Sequence, residues 1–310
     1  MTTIRDPDKL RQWVLATQGK AQKLLCHTGE ISSVVFSSGD YYRSFLDLTA
    51  KLHYFDAYNL LLIWERLPSA SCLAGYKVWE QQVPTGTQIL KKEQLGKGIE
   101  LIAPFTDSSD GQTKLVWYSV SVFDISQTTI SVPYPVFDPA YIHDADHIYF
   151  LLDAIKSVLG SKFDKSFCIC QPSQIMEDLG LPGEITESAV IARSDLSEDA
   201  FLRWSTEALS QLAIGGSLLE PPLFQLLSDS ICYCLLQIWD LGPAPLSPGS
   251  DLQLRAVSPE QQLTFCHLLR DTVRELNNLV CSYYLLSRRE AEDVMLLDPD
   301  ALFGPSQEDL

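Results

Sequence analysis

Apolar residues recur at helical spacing through the first third of the chain. Residues 7–26 carry an amphipathic pattern with Pro7 near its start, and a second apolar stripe runs through positions 42 to 55. The segment "DAYNLLLIWERLPSA" is a shorter apolar helix that ends before Pro68. The chain is therefore predicted to begin with three helices.

The hydrophobic period changes after Pro68. The segments "CLAGYKVWEQQ", "TQILKK", "GIELIAPF" and "KLVWYSVSVFDIS" alternate or run apolar, with β-branched and aromatic residues between turn-forming sequences. This pattern predicts a small antiparallel sheet. Three helices followed by such a sheet form an α+β domain over residues 1–132, and the proline-rich "TTISVPYPVFDP" is the predicted linker.

The second part of the chain, residues 133–310, is predicted to be mostly helical. Asp138 and Pro139 have the character of a helix N-cap and first helical residue, and Ser197 caps another helix, "SEDAFLRWSTEALSQLA". Two further helices begin with prolines in "PPLFQLLSDSICYCLLQIWDLG" and "SPEQQLTFCHLLRDTVRELNNLV", and "SAVIARS" is a predicted strand. The predicted fold is α+β with two domains.

Charge distinguishes the two parts. Residues 1–135 contain 13 basic and 13 acidic side chains, whereas residues 136–310 contain 10 and 27, which accounts for the whole net charge of −17. A neutral first part can carry a basic groove, but the second would repel a nucleic-acid backbone. The sequence has neither an apolar run long enough to span a membrane nor a signal core near residue 1, so we expect a cytoplasmic protein.

The eight cysteines fit a reducing compartment, because most lie in apolar segments where a thiol packs as a small hydrophobic group. Neither Cys-x-Cys pair has a partner pair at zinc-finger spacing. A second candidate metal site is "AYIHDADHIYF", in which His143 and His147 lie one helical turn apart and Asp144 follows the first. The aspartate is one methylene shorter than the glutamate of the usual H-E-x-x-H pattern, and we expect these histidines to be metal-free.

Several separated motifs resemble one family. "FDAYNLLLIWERLPSASCLAGYKVWEQQ", "KKEQLGKGIELIAP" and "VFDISQT" occur in the order of the single-stranded-DNA-binding domain of ArdC-type antirestriction proteins, which plasmids and other mobile genetic elements encode. The resemblance covers roughly 80 residues. It implies a cytoplasmic, antirestriction-like protein that binds single-stranded DNA through its first domain.

Such binding needs cations for phosphates and flat rings on which bases stack. The residues that the resemblance and this chemistry indicate for DNA binding are Asn59, Tyr76, Lys77, Trp79, Lys91, Lys92, Lys97, Lys114, Trp117 and Tyr118. The alternative is that Trp79 and Trp117 belong to the core of the sheet and that the lysines form its solvated rim.

The second part of the chain resembles the zinc metallopeptidase-like domain that often follows in this family, so a zincin-like domain is expected there. The helix that normally bears H-E-x-x-H reads "TEALS", which places Thr206 and Ser210 at the two ligand positions and keeps only Glu207. Asp229 stands where the family offers an acidic third ligand. Hydroxyls are poor zinc ligands, so the resemblance implies a pseudoenzyme with no cofactor and no catalytic residue.

Three hypotheses remain at this point. The first is a single-stranded-DNA-binding protein with an inactive peptidase-like domain. In the second hypothesis, the functional surface is the acidic second part of the chain. This surface binds a host or element-encoded protein, or it mimics DNA and so binds a host nuclease. The third is an active metalloenzyme centred on His143, Asp144 and His147.

Overall fold

The computed structural model describes residues 7–107, 113–130, 146–217, 219–242, 246 and 250–297. The helices in these residues are α1 (Pro7–Val35), α2 (Gly39–Leu52), α3 (Ala57–Arg66), α4 (Tyr76–Glu80), α5 (His147–Phe163), α6 (Gln174–Asp178), α7 (Glu198–Ile214), α8 (Pro221–Ile238), α9 (Ser250–Ala256) and α10 (Pro259–Leu297). The strands are β1 (Leu73–Ala74), β2 (Ile99–Asp107), β3 (Lys114–Asp124), β4 (Ser166–Cys170), β5 (Gly183–Ile185) and β6 (Ala189–Arg193). The predicted α+β fold class is confirmed.

The first sheet contains β1, β3 and β2 in that order, and both pairings are antiparallel. The hairpin of β2 and β3 pairs Ile99 with Val122 at one end and Asp107 with Lys114 at the other. Both strands were predicted. The predicted strand around Trp79 is wrong, because Gly75 caps the short helix α4 instead, and the predicted strand "TQILKK" forms only an isolated bridge between Leu90 and Thr128.

The second sheet has the order β4, β6, β5, with β6 parallel to β4 and antiparallel to β5. The predicted strand "SAVIARS" forms its centre. Helix α7 starts at the predicted cap, since the Ser197 hydroxyl accepts a hydrogen bond from the Ala200 N–H at 3.3 Å. It packs closely on the sheet because Gly183 has no side chain: a Cβ there would lie 2.1 Å from the Ile191 carbonyl oxygen and 2.3 Å from the Trp204 indole nitrogen.

One hydrophobic cluster joins the helices of both parts of the chain. Helix α2 packs on α8, and α1 and α3 pack on α10. Buried polar contacts reinforce this: the Tyr42 hydroxyl lies 2.7 Å from the Ser230 hydroxyl, and the Tyr233 hydroxyl donates to Asp47 at 2.7 Å. The predicted boundary at residue 132 stays a prediction, and most of the predicted linker lies outside the described residues.

No helix among the described residues is both long and apolar enough to cross a membrane. All eight cysteines are free thiols. Burial raises the pKa of Cys232, Cys234 and Cys266, so these three thiols stay protonated and pack as small hydrophobic groups.

Candidate nucleic-acid interface

Three of the predicted lysines lie together in residues 91–97, which we call the lysine turn. Its backbone is fixed on Gln127: the Lys91 N–H donates to the Gln127 carbonyl at 3.1 Å, and the Gln127 side-chain amide donates to the Lys97 carbonyl at 3.0 Å. The Lys91 ammonium donates to the Ser126 carbonyl at 2.8 Å. The structure therefore brings Lys91, Lys92 and Lys97 to one rigid loop.

The side chains of the lysine turn are exposed and lack acidic partners. Lys91, Lys92 and Lys97 form no ion pair with any described carboxylate, and neither does the exposed Lys77 on α4. The turn contains one acidic residue, Glu93, so it carries an excess of two positive charges. In a chain with 40 acidic and 23 basic side chains, such an uncompensated patch attracts anions.

Lys114 lies apart from this patch. It begins β3 opposite Asp107, at the far end of the hairpin from Asp124 and the Ser126–Gln127 turn. Ten strand residues span roughly 33 Å. Lys114 therefore does not belong to the lysine turn.

The predicted aromatic residues separate into exposed and core side chains. Tyr76 is 44 % exposed at the start of α4 and is available for stacking. Trp79 is 1 % exposed, packs with Phe123 and Ile89, and donates its indole N–H to the Phe123 carbonyl at 2.9 Å. Its ring is enclosed by the core, as in the alternative given above for Trp79, and presents no free face to a base.

Asn59 is also a core residue. It is 5 % exposed. Its side-chain amide donates to the Ile102 carbonyl at 2.8 Å and to Asp56 at 2.7 Å, and its carbonyl accepts from the Ile102 N–H at 2.9 Å. These bonds join α3 to β2 and engage the polar atoms of the Asn59 side chain within the fold.

Trp117 and Tyr118 are consecutive on β3 and contact different helices. Tyr118 is 9 % exposed and meets Trp13 of α1 edge-on, with ring centroids 5.1 Å apart. Burial also raises the pKa of Tyr118. Helix α1 therefore covers most of this ring, and its predicted stacking role stays a prediction. Trp117 is half-buried and its ring faces Tyr58 of α3 at 6.4 Å.

Trp117 lines a cleft of about 680 Å³ between α3, the first sheet and α10, which we call the α3–α10 cleft. Its lining includes Tyr58, Pro104, Trp117, His267, Arg270 and Arg274. Except for Trp117, these residues were not predicted as site residues. His267, Arg270 and Arg274 lie on α10, far from the sheet in sequence, and no local pattern marks them.

Helix α7 carries hydroxyl side chains at the two positions where the resemblance implies zinc ligands. The hydroxyls of Thr206 and Ser210 are fully buried and donate to the helix carbonyls of Leu202 and Thr206, both at 2.8 Å. They are therefore occupied within α7. Neutral imidazoles are absent from these positions, and the residues present do not fit the metal that the family resemblance implies.

Glu207 and Asp229 do interact across α7 and α8. Burial and the Asp229 charge raise the pKa of Glu207, while a hydrogen bond from Gln211 at 3.0 Å opposes the shift. Gln225 donates to Asp229 at 2.7 Å. Glu207 and Asp229 are therefore coupled electrostatically across the two helices.

His147 is buried at the start of α5. It is 6 % exposed, with Nδ1 3.1 Å from the Tyr284 hydroxyl and Nε2 3.0 Å from the Trp239 carbonyl. Both ring nitrogens are therefore engaged. His143 and Asp144 lie outside the described residues. Within the part of the chain that the structure describes, no group of three or more His, Cys, Asp or Glu side chains is placed to hold a metal.

No family model matches the chain, and no curated protein sequence matches it. Among solved structures, the chain is similar to the metal-free crystal structure of the antirestriction protein ArdC from the R388 plasmid. The match covers 74 % of this chain and 85 % of that chain, with a TM-score of 0.46 and 12 % identity.

Proposed function

We propose that this protein binds single-stranded DNA and has an antirestriction-like role on a mobile genetic element. The observation that carries the proposal is the lysine turn, where Lys91, Lys92 and Lys97 lie exposed on one loop and form no ion pair with the carboxylates that the structure describes. Phosphates are the anions that such a patch binds, and their counterions are released when it does so.

The side chains at the start of α4 favour single strands over duplex. Tyr76 presents a partly exposed ring next to Lys77, and stacking on such a ring requires an unpaired base. A duplex offers only its phosphates to the same lysines. The resemblance of this region to the ArdC-type domain points to the same ligand.

The proposal is tested by removing charges from the lysine turn in the whole chain. Each phosphate contact on a single strand contributes about 0.7 to the slope of log affinity against log salt. The double variant Lys91→Ala, Lys92→Ala should therefore flatten this slope by about 1.4. Lys114 lies at the other end of the hairpin, so Lys114→Ala should leave the contribution of the lysine turn to the salt slope unchanged. An unchanged slope in the double variant would refute the proposed interface.

We further propose that the peptidase-like part is inactive. Thr206 and Ser210 bond to their own helix, and Glu207 therefore has no metal-bound water to activate. Purified protein should contain well under one zinc per chain, and a chelator should leave its melting temperature unchanged, because metal bound to a folded site stabilises it. Stoichiometric zinc would contradict this.

A second candidate function is binding of a host or element-encoded protein by the acidic part of the chain. The observation that favours it is the exposure of Ile175 and Leu179, 68 % and 67 %, beside Glu177 and Asp178. Exposed apolar groups with acidic neighbours suit a basic protein partner. If a host nuclease binds the chain, Ile175→Ser with Leu179→Ser should abolish that binding and leave single-strand binding unchanged.

A further inference from the structure

We infer that the α3–α10 cleft holds one unpaired nucleobase of the bound strand, with a neighbouring phosphate on Arg274. Helix α10, from the second part of the chain, would then complete a site that the sequence assigns to the first part alone. This inference rests on the proposed function and adds to it a base pocket and a contribution from both parts of the chain.

The cleft has the size and position that such a ligand requires. Its volume of about 680 Å³ lies within the roughly 300 to 1,000 Å³ typical of small-molecule sites. Gly75, directly before the exposed Tyr76, also lines it. A strand that follows α4 from Tyr76 can therefore direct a base into the cleft.

Aromatic rings in the cleft are already held in place. Tyr58 lies between two rings: its centroid is 6.4 Å from that of Trp117 and 4.4 Å from that of His267, with interplanar angles of 70° and 74°. Rings fixed by edge-to-face contacts lose little conformational freedom when a base stacks on them. The half-buried Trp117 has the largest ring system among the aromatic residues that line the cleft.

His267 supplies a polar atom for the edge of a base. Its Nε2 is shielded from solvent and forms no hydrogen bond with any described residue. Burial lowers the pKa of His267, so the ring is neutral at pH 7, and Nε2 donates or accepts according to its tautomer. A buried polar atom without a partner costs free energy, which a hydrogen bond from a bound base would recover.

Two arginines line the cleft, and their environments differ. Arg270 is 9 % exposed and bonds to the Tyr54 and Phe55 carbonyls and to Asp271, so it joins α10 to the chain before α3. Arg274, one turn further, is exposed and has no hydrogen bond or ion pair within the described residues.

The acidic residues of the cleft are occupied. Asp271 is held by Arg270 at 2.6 Å, and Asp56 accepts hydrogen bonds from the Asn59 backbone and side chain. Arg274 is therefore the cation of the cleft that remains available to a phosphate, and its planar guanidinium suits phosphate oxygens.

The test uses the whole chain, because α10 packs on α1 and α3. Binding of a fluorescein-labelled oligothymidylate of about 12 nucleotides is followed by anisotropy over a range of salt concentrations. Arg274→Ala should weaken binding and flatten the salt slope by about 0.7. Arg289→Ala removes the same charge from an exposed position on α10, roughly 22 Å further along the helix, and should change neither value.

Two ring variants test the base pocket. Trp117→Ala should weaken binding by about 5- to 150-fold without changing the slope. Because that variant loses packing, His267→Phe is measured beside it: it keeps a ring against Tyr58, removes Nε2, and should weaken binding several-fold. Melting curves establish that each variant is folded.

The outcomes distinguish this inference from the proposed function. If the oligonucleotide binds through the lysine turn and neither Arg274→Ala nor His267→Phe differs from Arg289→Ala, the inference is overturned and the proposed function stands. If the unmodified chain does not bind the oligonucleotide even at low salt, both are overturned.

Discussion

The side-chain amide of Asn59 pairs with the backbone of Ile102 much as a neighbouring strand would, donating to the carbonyl at 2.8 Å and accepting from the N–H at 2.9 Å. These two bonds join helix α3 to strand β2, and α3 and β2 both contribute to the lining of the α3–α10 cleft. An asparagine that motif order associates with DNA binding thus serves to position the cleft.

We expect Asn59→Ala to lower the free energy of unfolding by about 2 to 4 kcal/mol, because two buried backbone groups of Ile102 lose their partner. Urea unfolding of the whole chain measures this. Asn278→Ala, at an exposed position on α10, is the control and should stay within about 0.5 kcal/mol of the unmodified protein. A similarly small effect of Asn59→Ala would contradict the role assigned to this residue.

Trp79 and Tyr76 should respond oppositely to removal of their rings. Trp79→Ala should cost about 3 to 5 kcal/mol of stability, since the indole fills a core and bonds to Phe123. Tyr76→Ala should leave stability within about 0.5 kcal/mol and weaken single-strand binding. Thermal melts and anisotropy on the same samples separate these effects, and a stable Trp79→Ala protein that has lost binding would restore the stacking interpretation.

The partly buried His53 predicts loss of stability in mild acid. Burial lowers the pKa of His53, whose Nδ1 donates to the Ala50 carbonyl at 3.0 Å and whose Nε2 lies 3.3 Å from the Asn277 amide nitrogen. The unfolded chain therefore binds the proton at a higher pH than the folded one. Stability from His53 should be complete above the unfolded pKa, about 6.5, and decrease as pH falls through the folded value.

Melting temperatures between pH 8 and pH 5 check this sign. His53→Gln should show a smaller loss on acidification than the unmodified chain. His27 is the opposite case, because hydrogen bonds to Glu30 and Glu65 at 2.8 Å raise its pKa, so its contribution is present in acid and lost as pH rises. If the His53→Gln variant and the unmodified chain lose equal stability on acidification, His53 is not the source of the acid sensitivity.

Glu207→Gln should stabilise the protein near pH 7. Burial and the neighbouring Asp229 raise the pKa of this carboxyl, which means that the ionised form is unfavourable in the folded state. A neutral amide removes that cost while keeping an oxygen for Gln211. The gain should disappear at a pH below the unfolded carboxyl pKa of about 4.3. Destabilisation at pH 7 would instead indicate a cation beside Glu207.

Local sequence patterns correctly predicted those helices and strands whose type depends on residues close together in the sequence. The hairpin strands β2 and β3 and the proline-entered helix α8 follow from alternation and capping. Helix α4 was not predicted, because "YKVW" is rich in residues that favour strands. The packing of Trp79 against Phe123 is a tertiary contact, and intrinsic secondary-structure propensity gives no information about it.

The same distinction applies to the site. Lys91, Lys92 and Lys97 are close in sequence, and their clustering could be predicted. The α3–α10 cleft could not, because Trp117 and Arg274 come together only through the packing of α10 on the first helices and the sheet. The exposure of each ring also determines which of the predicted aromatic residues can stack on a base. The hydrophobic periodicity of the sequence does not predict the exposure of a single side chain.

The affinity of the whole chain for a single-stranded oligonucleotide and for the matching duplex, measured across a range of salt concentrations, tests the central claim most directly. We predict preference for the single strand and weak dependence on its sequence. The four lysines Lys77, Lys91, Lys92 and Lys97 would give a slope of about −3 at about 0.7 per phosphate, and the contact of Arg274 would bring it to about −3.5. Equal affinity for the duplex, or no single-strand binding at low salt, would contradict the account.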